Sequence, residues 1–523
     1  MFEALVDYTI LGLSAATAPN SLFYCFIGVT LGTFVGVIPG IGALATISML
    51  IPITFHLEPL EALVMLAGIY YGTAYGGSIA SILLRLPGTG SSAVTCIDGY
   101  PMAQQGRAGI ALFMTAIASF VGASIGIIIM MVFSPLFVEI GLSFHSPEYF
   151  SLMVMGLVAA SSITSDSQIK GIAMVVLGIF LGIVGTDINT GTSRYTFGIT
   201  ELTEGFTMSA IAMGSFGVAE VISSLRKFKG GTLTSKSIGL RSMVPTRDDV
   251  RRSWLPILRG SSTGSFVGAL PGAGATIASF MSYAIERKVA RDPSRFGKGA
   301  IEGIVAPEAA NNAADQTAFI PTLTLGIPGS VTMALMLGVL MIHGITPGPS
   351  MMANHPDLFW GVVMSFWIGN IMLLILNVPL IGIWVRVLMI PYHVLYPAIL
   401  MFACIGVYSI HQTTFDVITV IAFGLLGYFM RLIRFPVAPL LLGFVLGPMV
   451  EEYFRRALII SAGDVSIFFE RPVSLMFLLI TAALLLWSAW QSVRQSFQRK
   501  VVEAPLPGNE AAGARDGEAA QSR

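Results

Sequence analysis

The chain alternates between long stretches without a single charged residue and short segments where charge collects. From Tyr8 to Leu57 there is no Asp, Glu, Lys or Arg, and further charge-free runs cover Ala108–Val138, Gly171–Thr186, Gly260–Ile285, Leu358–Val385 and Val473–Ser492. About 20 apolar helical residues cross the ~30 Å hydrocarbon core of a bilayer. Most of these runs reach that length, Gly171–Thr186 being the shortest. The pattern predicts an all-α polytopic membrane protein of about ten to twelve spans, and strict period-two alternation, the mark of a β-barrel, is absent.

Composition agrees. Hydrophobic residues make up 54% of the 523 and charged residues 11%, where a soluble domain carries roughly 25% charge. A formal net charge of zero and the lack of a basic domain offer nothing to nucleic acid. Cys25, Cys96 and Cys404 are too scattered for a disulfide framework or a metal site. The N-terminus lacks the positive region of a cleaved signal peptide, so its first helix is expected to stay.

Charge placement divides the chain. Leu225–Arg259 holds nine Lys/Arg against Asp248 and Asp249 and is expected to be a cytoplasmic linker. The basic stretch Glu286–Glu302 and the residues Arg494, Arg499 and Lys500 fall on the same side by that rule. This gives a membrane repeat over 1–224, a linker over 225–259, a second repeat with C-terminal spans over 260–492, and a cytoplasmic, largely disordered tail over 493–523.

The two membrane parts resemble each other. GTFVGVIPGIGA (Gly32–Ala43) aligns with GSFVGALPGAGA (Gly264–Ala275) at eight of twelve positions, and LLRLPGTGSSA (Leu83–Ala93) corresponds loosely to TLGIPGSVTMA (Thr324–Ala334). Two motifs in the same order indicate an internal duplication. The second copy follows a basic loop and the first does not, which favours inverted repeats.

The Pro-Gly pairs carry the chemistry. Pro39, Gly40 and Gly42, and likewise Pro271, Gly272 and Gly274, interrupt charge-free runs, as do Pro87 and Gly88, and Pro328 and Gly329. Proline removes a backbone donor and glycine weakens a helix, so the helix unwinds there. Lipid cannot satisfy the freed groups, and the break must face protein or a water-filled cavity. The helix that restarts points its N-terminal N–H groups into that cavity, where they suit a carboxylate. A kinked helix packed closely on a neighbour is the bland alternative.

Polar residues beside the breaks extend the candidate substrate site to Tyr75, Gly76, Gly77, Ser78, Arg85, Thr89, Ser91, Asn311, Asn312 and Ser330. Arg85 would pair with a carboxylate, or snorkel to headgroups. Candidate cation ligands are Asp98, Glu308, Asn312 and Thr322, whose oxygens suit a hard ion. For Asp98 a loop role, and for the Glu308–Thr317 stretch an interfacial turn, remain open. Gly40-Ile41-Gly42 followed by Ala45 matches a dinucleotide-binding turn only formally, since no βαβ unit surrounds it. No phosphate-loop lysine motif, metal pattern or catalytic constellation is present, and no cofactor is expected.

VGVIPGIGALATISMLIP, YGTAYGGSIASILLRLPGTGSSAVTCIDGYPMAQQGRAG, VAPEAANNAADQTAFIPTLTLGIPGS and GITPGP resemble the large membrane subunit of tripartite tricarboxylate transporters, from about Tyr8 to Ser492. The resemblance implies a multi-pass permease of the bacterial inner membrane driven by a Na+ or H+ gradient. It also implies a small membrane subunit of about four helices, a periplasmic solute-binding protein and a small organic anion as substrate. An ATP-driven importer's permease and a membrane-embedded enzyme are the alternatives.

Overall fold

The computed structural model describes residues 2–38, 42–164, 167–187, 189–225, 239–270, 272, 274–388 and 392–503. The chain opens with α1 (Phe2–Ala16), α2 (Pro19–Val37), α3 (Gly42–Thr54), α4 (Pro59–Leu84), α5 (Thr95–Met102), α6 (Ala108–Leu142), α7 (Ser146–Thr164), α8 (Gln168–Gly182), α9 (Met208–Ala212) and α10 (Ala219–Leu225). It continues with α11 (Arg247–Gly268), α12 (Gly274–Val289), α13 (Glu302–Thr317), α14 (Phe319–Leu325), α15 (Val331–Ile342), α16 (Pro349–Asn354), α17 (Pro356–Asn377) and α18 (Ile381–Val387). The last helices are α19 (Tyr392–His411), α20 (Thr414–Leu432), α21 (Ala438–Ile460), α22 (Ile467–Glu470) and α23 (Pro472–Glu503). A short antiparallel hairpin, β1 (Gly185–Thr186) with β2 (Ser193–Arg194), is the sheet among the described residues.

Four helical segments, Pro19–Val37, Thr95–Leu142, Pro356–Asn377 and Thr414–Leu432, are long and apolar enough to cross a membrane, and shorter apolar helices include Gly42–Thr54 and Val331–Ile342. The fold is that of an all-α polytopic membrane protein. Exposed Ile10, Phe23, Ile128, Leu425, Leu479 and Leu486 are the apolar surface such a protein turns to lipid.

Two helix pairs lie at the centre, and small residues explain both. On α2, Gly28, Gly32 and Gly36 recur every fourth residue and lie against the backbone of Met65, Ile69 and Thr73 on α4. On α11, Gly260, Gly264 and Gly268 lie in the same way against Ala306, Ala310 and Ala314 on α13. Without side chains along that stripe the backbones approach within van der Waals contact, the main source of attraction between helices in lipid.

The long partners are exchanged. Helix α6 packs on α11 and α13, with Gly122 against Ala309, whereas α17 packs on α2 and α4. Farther out, α7 and α8 lie against α21, and α20 lies against the 208–225 segment.

Three boundaries differ from the sequence expectation. Residues 247–259 of the expected linker are the first half of α11, because Thr246 and Asp249 form a reciprocal capping box that starts the helix there. The linker's basic core, 226–238, lies outside the described residues. The apolar run to Thr186 ends as helix at Gly182 and turns into β1. That hairpin is pinned by Arg194 to Asp187 at 2.7 Å and to Glu451 of α21 at 2.8 Å. Finally, α23 continues to Glu503, and residues 504–523 lie outside the described set.

Candidate functional site

The described Pro-Gly breaks come together. Gly272 donates its N–H to the Gly329 carbonyl at 3.0 Å, joining the break before α12 to the one before α15. A Cβ on Gly90 would stand 3.0 Å from Thr276 Oγ1, so the break before α5 reaches the first turn of α12. Gly88 lies against the Gly36 carbonyl at the end of α2 and close to Gly77 on α4. Pro39, Gly40 and Pro271 lie outside the described residues. Gly42 and Gly274 open α3 and α12 with φ +66 and +64, a left-handed conformation that glycine adopts without strain.

The breaks at Pro87–Gly88 and Pro328–Gly329 are held by their own hydroxyls. Thr89 N–H donates to Ser92 Oγ at 3.1 Å, Ser92 N–H to Thr89 Oγ1 at 3.3 Å, and the Thr89 and Ser91 hydroxyls meet at 3.0 Å. Ser330 caps α15 by accepting from Met333 N–H at 3.3 Å. Thr322, expected as a cation ligand, instead donates to the Ala318 carbonyl at 2.7 Å and accepts from Gly329 N–H at 3.3 Å. It braces the turn around buried Pro328 and Gly329.

Beside the breaks runs α13. Its residues Gly303–Thr317 are all buried although Glu308, Asn311, Asn312, Asp315 and Gln316 are polar. Of the two readings the sequence left open, the interfacial turn is not found: the stretch is an enclosed helix. Glu308 accepts from Thr95 Oγ1 of α5 and, at 3.2 Å, from Asn311 Nδ2. Asn312 Nδ2 donates to Ser119 Oγ of α6 at 2.9 Å and to the Glu308 carbonyl at 3.0 Å. With its nitrogen fixed by these acceptors, Asn312 Oδ1 has no hydrogen-bond donor, and Gln316 Oε1 one turn on has none either. Asp315 is hydrogen-bonded to Tyr70. No Lys or Arg pairs with Glu308 or Asp315 among the described residues.

A narrow recess adjoins this helix, lined by Tyr75, Ser78, Thr115, Ser119 and Asn377 among others. Tyr75 donates to Asn370 Oδ1 at 2.7 Å, and Asn370 returns a bond to the Phe120 carbonyl at 3.0 Å. Of the sequence candidates on α4, Tyr75 and Ser78 face this recess and Gly77 faces the Thr89–Ser92 turn. Gly76 serves the contact with α2, where an added Cβ would meet Val37 N at 2.8 Å.

Two candidates stand apart. Arg85 is exposed at the end of α4, in a left-handed conformation at φ 59, with its guanidinium 5.8 Å from the centre of the Tyr100 ring. Asp98 is fully buried, and protein donors fill its carboxylate: Gly297, Gly299 and Ala300 N–H at 2.8, 2.9 and 2.9 Å, and Tyr283 OH at 2.9 Å. Sequence reasoning passed over Thr95, Ser119, Asn370 and Asn377. The two asparagines were visible as amides inside the charge-free run Leu358–Val385. Nothing in the linear order tied Thr95 or Ser119 to α13.

The family model of the tripartite tricarboxylate transporter TctA family matches residues 22–442. The chain belongs to that family. It is a tripartite tricarboxylate transporter subunit and a multi-pass membrane protein, and the matched region holds every break and all of α13. Among curated relatives, the "Uncharacterized 52.8 kDa protein in TAR-I ttuC' 3'region" of Agrobacterium vitis is 47% identical over 502 residues, 95% of this chain and 99% of that one. The "Uncharacterized protein in TAR-II ttuC' 3'region" of the same organism is 50% identical over 240 residues, 46% of this chain and 99% of that one. No solved structure matches the chain.

Proposed function

We propose that this TctA-family chain is the permease through which a small carboxylate crosses the bacterial inner membrane, coupled to the entry of Na+ or H+. In this reading a small subunit of about four helices accompanies it, and a periplasmic solute-binding protein delivers the anion. The observation that carries the proposal is the meeting of the helix breaks beside α13, whose buried acids have no basic partner among the described residues. An unpaired buried carboxylate costs several kcal/mol. Glu308 and Asp315 therefore require a proton or a metal cation when they are enclosed, and the orphan oxygens of Asn312 and Gln316 add ligands of the kind a hard ion takes. A substrate carboxylate receives the opposite treatment from the helix N-termini at Gly42, Gly274 and Ser330, each worth roughly half a positive charge. Cation and anion thus neutralise each other in one enclosure.

We further read residues 1–224 and 260–492 as inverted repeats. Arg85 and Gly326 occupy matching places before their Pro-Gly pairs and both are left-handed, at φ 59 and 71. The glycine stripes of α2 and α11 also match. Met102, the last residue of α5, lies against Gly299 beside Lys298, while His343 at the end of α15 interacts with Thr54 and Glu58. Each half therefore ends its second break on the side where the other half begins, as inversion requires.

The test is uptake of labelled di- and tricarboxylates into proteoliposomes holding the permease and small subunit, with the binding protein outside. Uptake is expected to need an inward Na+ or H+ gradient and to ignore ATP. Uptake sustained with both gradients collapsed would overturn the coupling.

A further inference from the structure

The clasp around Asp98 is absorbed neither by the substrate site nor by the cation site. Gly297 and Gly299 have φ +81 and +98, and those left-handed turns aim three backbone donors at one point. Asp98 Oδ1 occupies it, accepting from Gly297, Gly299 and Ala300 N–H, while Oδ2 accepts from Tyr283 OH of α12. Gly303 at the start of α13 lies against Oδ2, so a side chain there would push the carboxylate out. Gln105 adds a bond to the Lys298 carbonyl at 2.8 Å. The result is an anion nest made by the 296–303 segment and filled by the protein's own carboxylate. Every donor lies beyond residue 280 and the acceptor lies on α5.

Position gives the clasp its meaning. Three residues before Asp98, Thr95 donates to Glu308 on α13. The first turn of α5 therefore touches both the buried acid and the nest. The nest lies at the end of the basic Arg287–Lys298 stretch, which the positive-inside tendency places in the cytoplasm. We infer that Asp98 is a gate residue: its carboxylate plugs the nest to close the cytoplasmic end of the site, and release of substrate requires it to leave. This rests on the transport reading above and assigns Asp98 to gating in place of cation ligation.

Two measurements separate gate, ligand and brace. In a Cys25→Ala, Cys404→Ala background the half-buried Cys96, two residues before Asp98, is the remaining thiol. Its modification by a membrane-impermeant maleimide is followed in inside-out vesicles of the full permease with its small subunit. A charge-assisted hydrogen bond is worth about 1.5–3 kcal/mol, so Asp98→Asn should speed labelling roughly tenfold or more. Tyr283→Phe, which removes one donor and no charge, should give a smaller rise and guards against an Asp98 variant that does not insert. In proteoliposomes with the binding protein, both variants should accumulate less substrate through faster back-leak, with an unchanged cation concentration for half-maximal uptake. Unchanged Cys96 labelling in both variants overturns the gate, as does an increase in the cation required. Labelling needs no substrate, so failure of the wild-type system to move any carboxylate would count against the transport reading alone.

Discussion

Gly88→Ala tests the convergence of the breaks most directly. An alanine Cβ at this position would sit 2.6 Å from Gly77 Cα and run into the Gly36 carbonyl oxygen. Carbon atoms rest about 3.5–4.0 Å apart, so the gap must widen by about 1 Å. Both obstacles are backbone, one at the end of α2 and one inside α4, and neither can rotate away. Gly88 has no positive φ, so the substitution adds no conformational strain and the effect is purely one of space. Overpacking of this kind costs about 1–3 kcal/mol, which corresponds to roughly 5- to 150-fold in an equilibrium constant. That is too little to unfold a domain worth about 5–15 kcal/mol, so the variant should insert. If the loop is displaced from the cradle, uptake should drop by about that factor. The assay is initial-rate uptake in proteoliposomes, with size-exclusion of the solubilised protein as the folding check. Gly382→Ala is the control, since no atom lies within 4 Å of its added Cβ. A folded Gly88→Ala protein with wild-type rate and half-saturation would refute a tight cradle at this break.

Glu308→Gln and Asn312→Ala should raise the cation concentration for half-maximal uptake about tenfold, each removing one charged or orphan oxygen from the buried cluster, as a Na+ titration at fixed pH would record. Arg85→Gly should retain near-normal uptake and raise thermal stability slightly, because the left-handed conformation strains an L residue by about 1 kcal/mol and the corresponding Gly326 is free of it; a dead variant would restore a direct arginine–carboxylate pair. Thr246→Ala should destabilise the start of α11 by about 0.5–2 kcal/mol through loss of the capping box, seen as a lowered Tm with the cation dependence unchanged.

The membrane class and the Pro-Gly breaks were legible in the sequence because both are local. A charge-free run and a proline each report on their own backbone. The burial of α13 was not legible. EAANNAADQT has the composition of a surface turn, and only its enclosure by α4, α6, α11 and α12 shows that its amides are interior. Thr322 and Asp98 illustrate the same limit. Their oxygens suit a cation by type, but Thr322 is occupied by the Gly329 turn and Asp98 by donors about 200 residues away. Arg85 was read by its charge, whereas its backbone, as a helix C-cap, decides where it stands. The start of α11 inside the basic segment had a visible signal in Thr246 and Asp249, outweighed by the charge around it.

The exchange of α6 and α17 between the two central pairs has a consequence for how the chain is made. Helix α6 leaves the ribosome long before α13, the surface it covers. At about 5–20 residues per second, the roughly 160 residues between Leu142 and Glu302 take on the order of 10–30 s. During that time Gly122 and Gly126 face lipid or a transient neighbour, and α2 and α4 wait longer still for α17. Neither half can finish its packing without the other, so the protein is one cooperative unit in assembly even where its sequence looks like two. A chain cut within the linker should yield stable protein only when both pieces are produced in the same membrane.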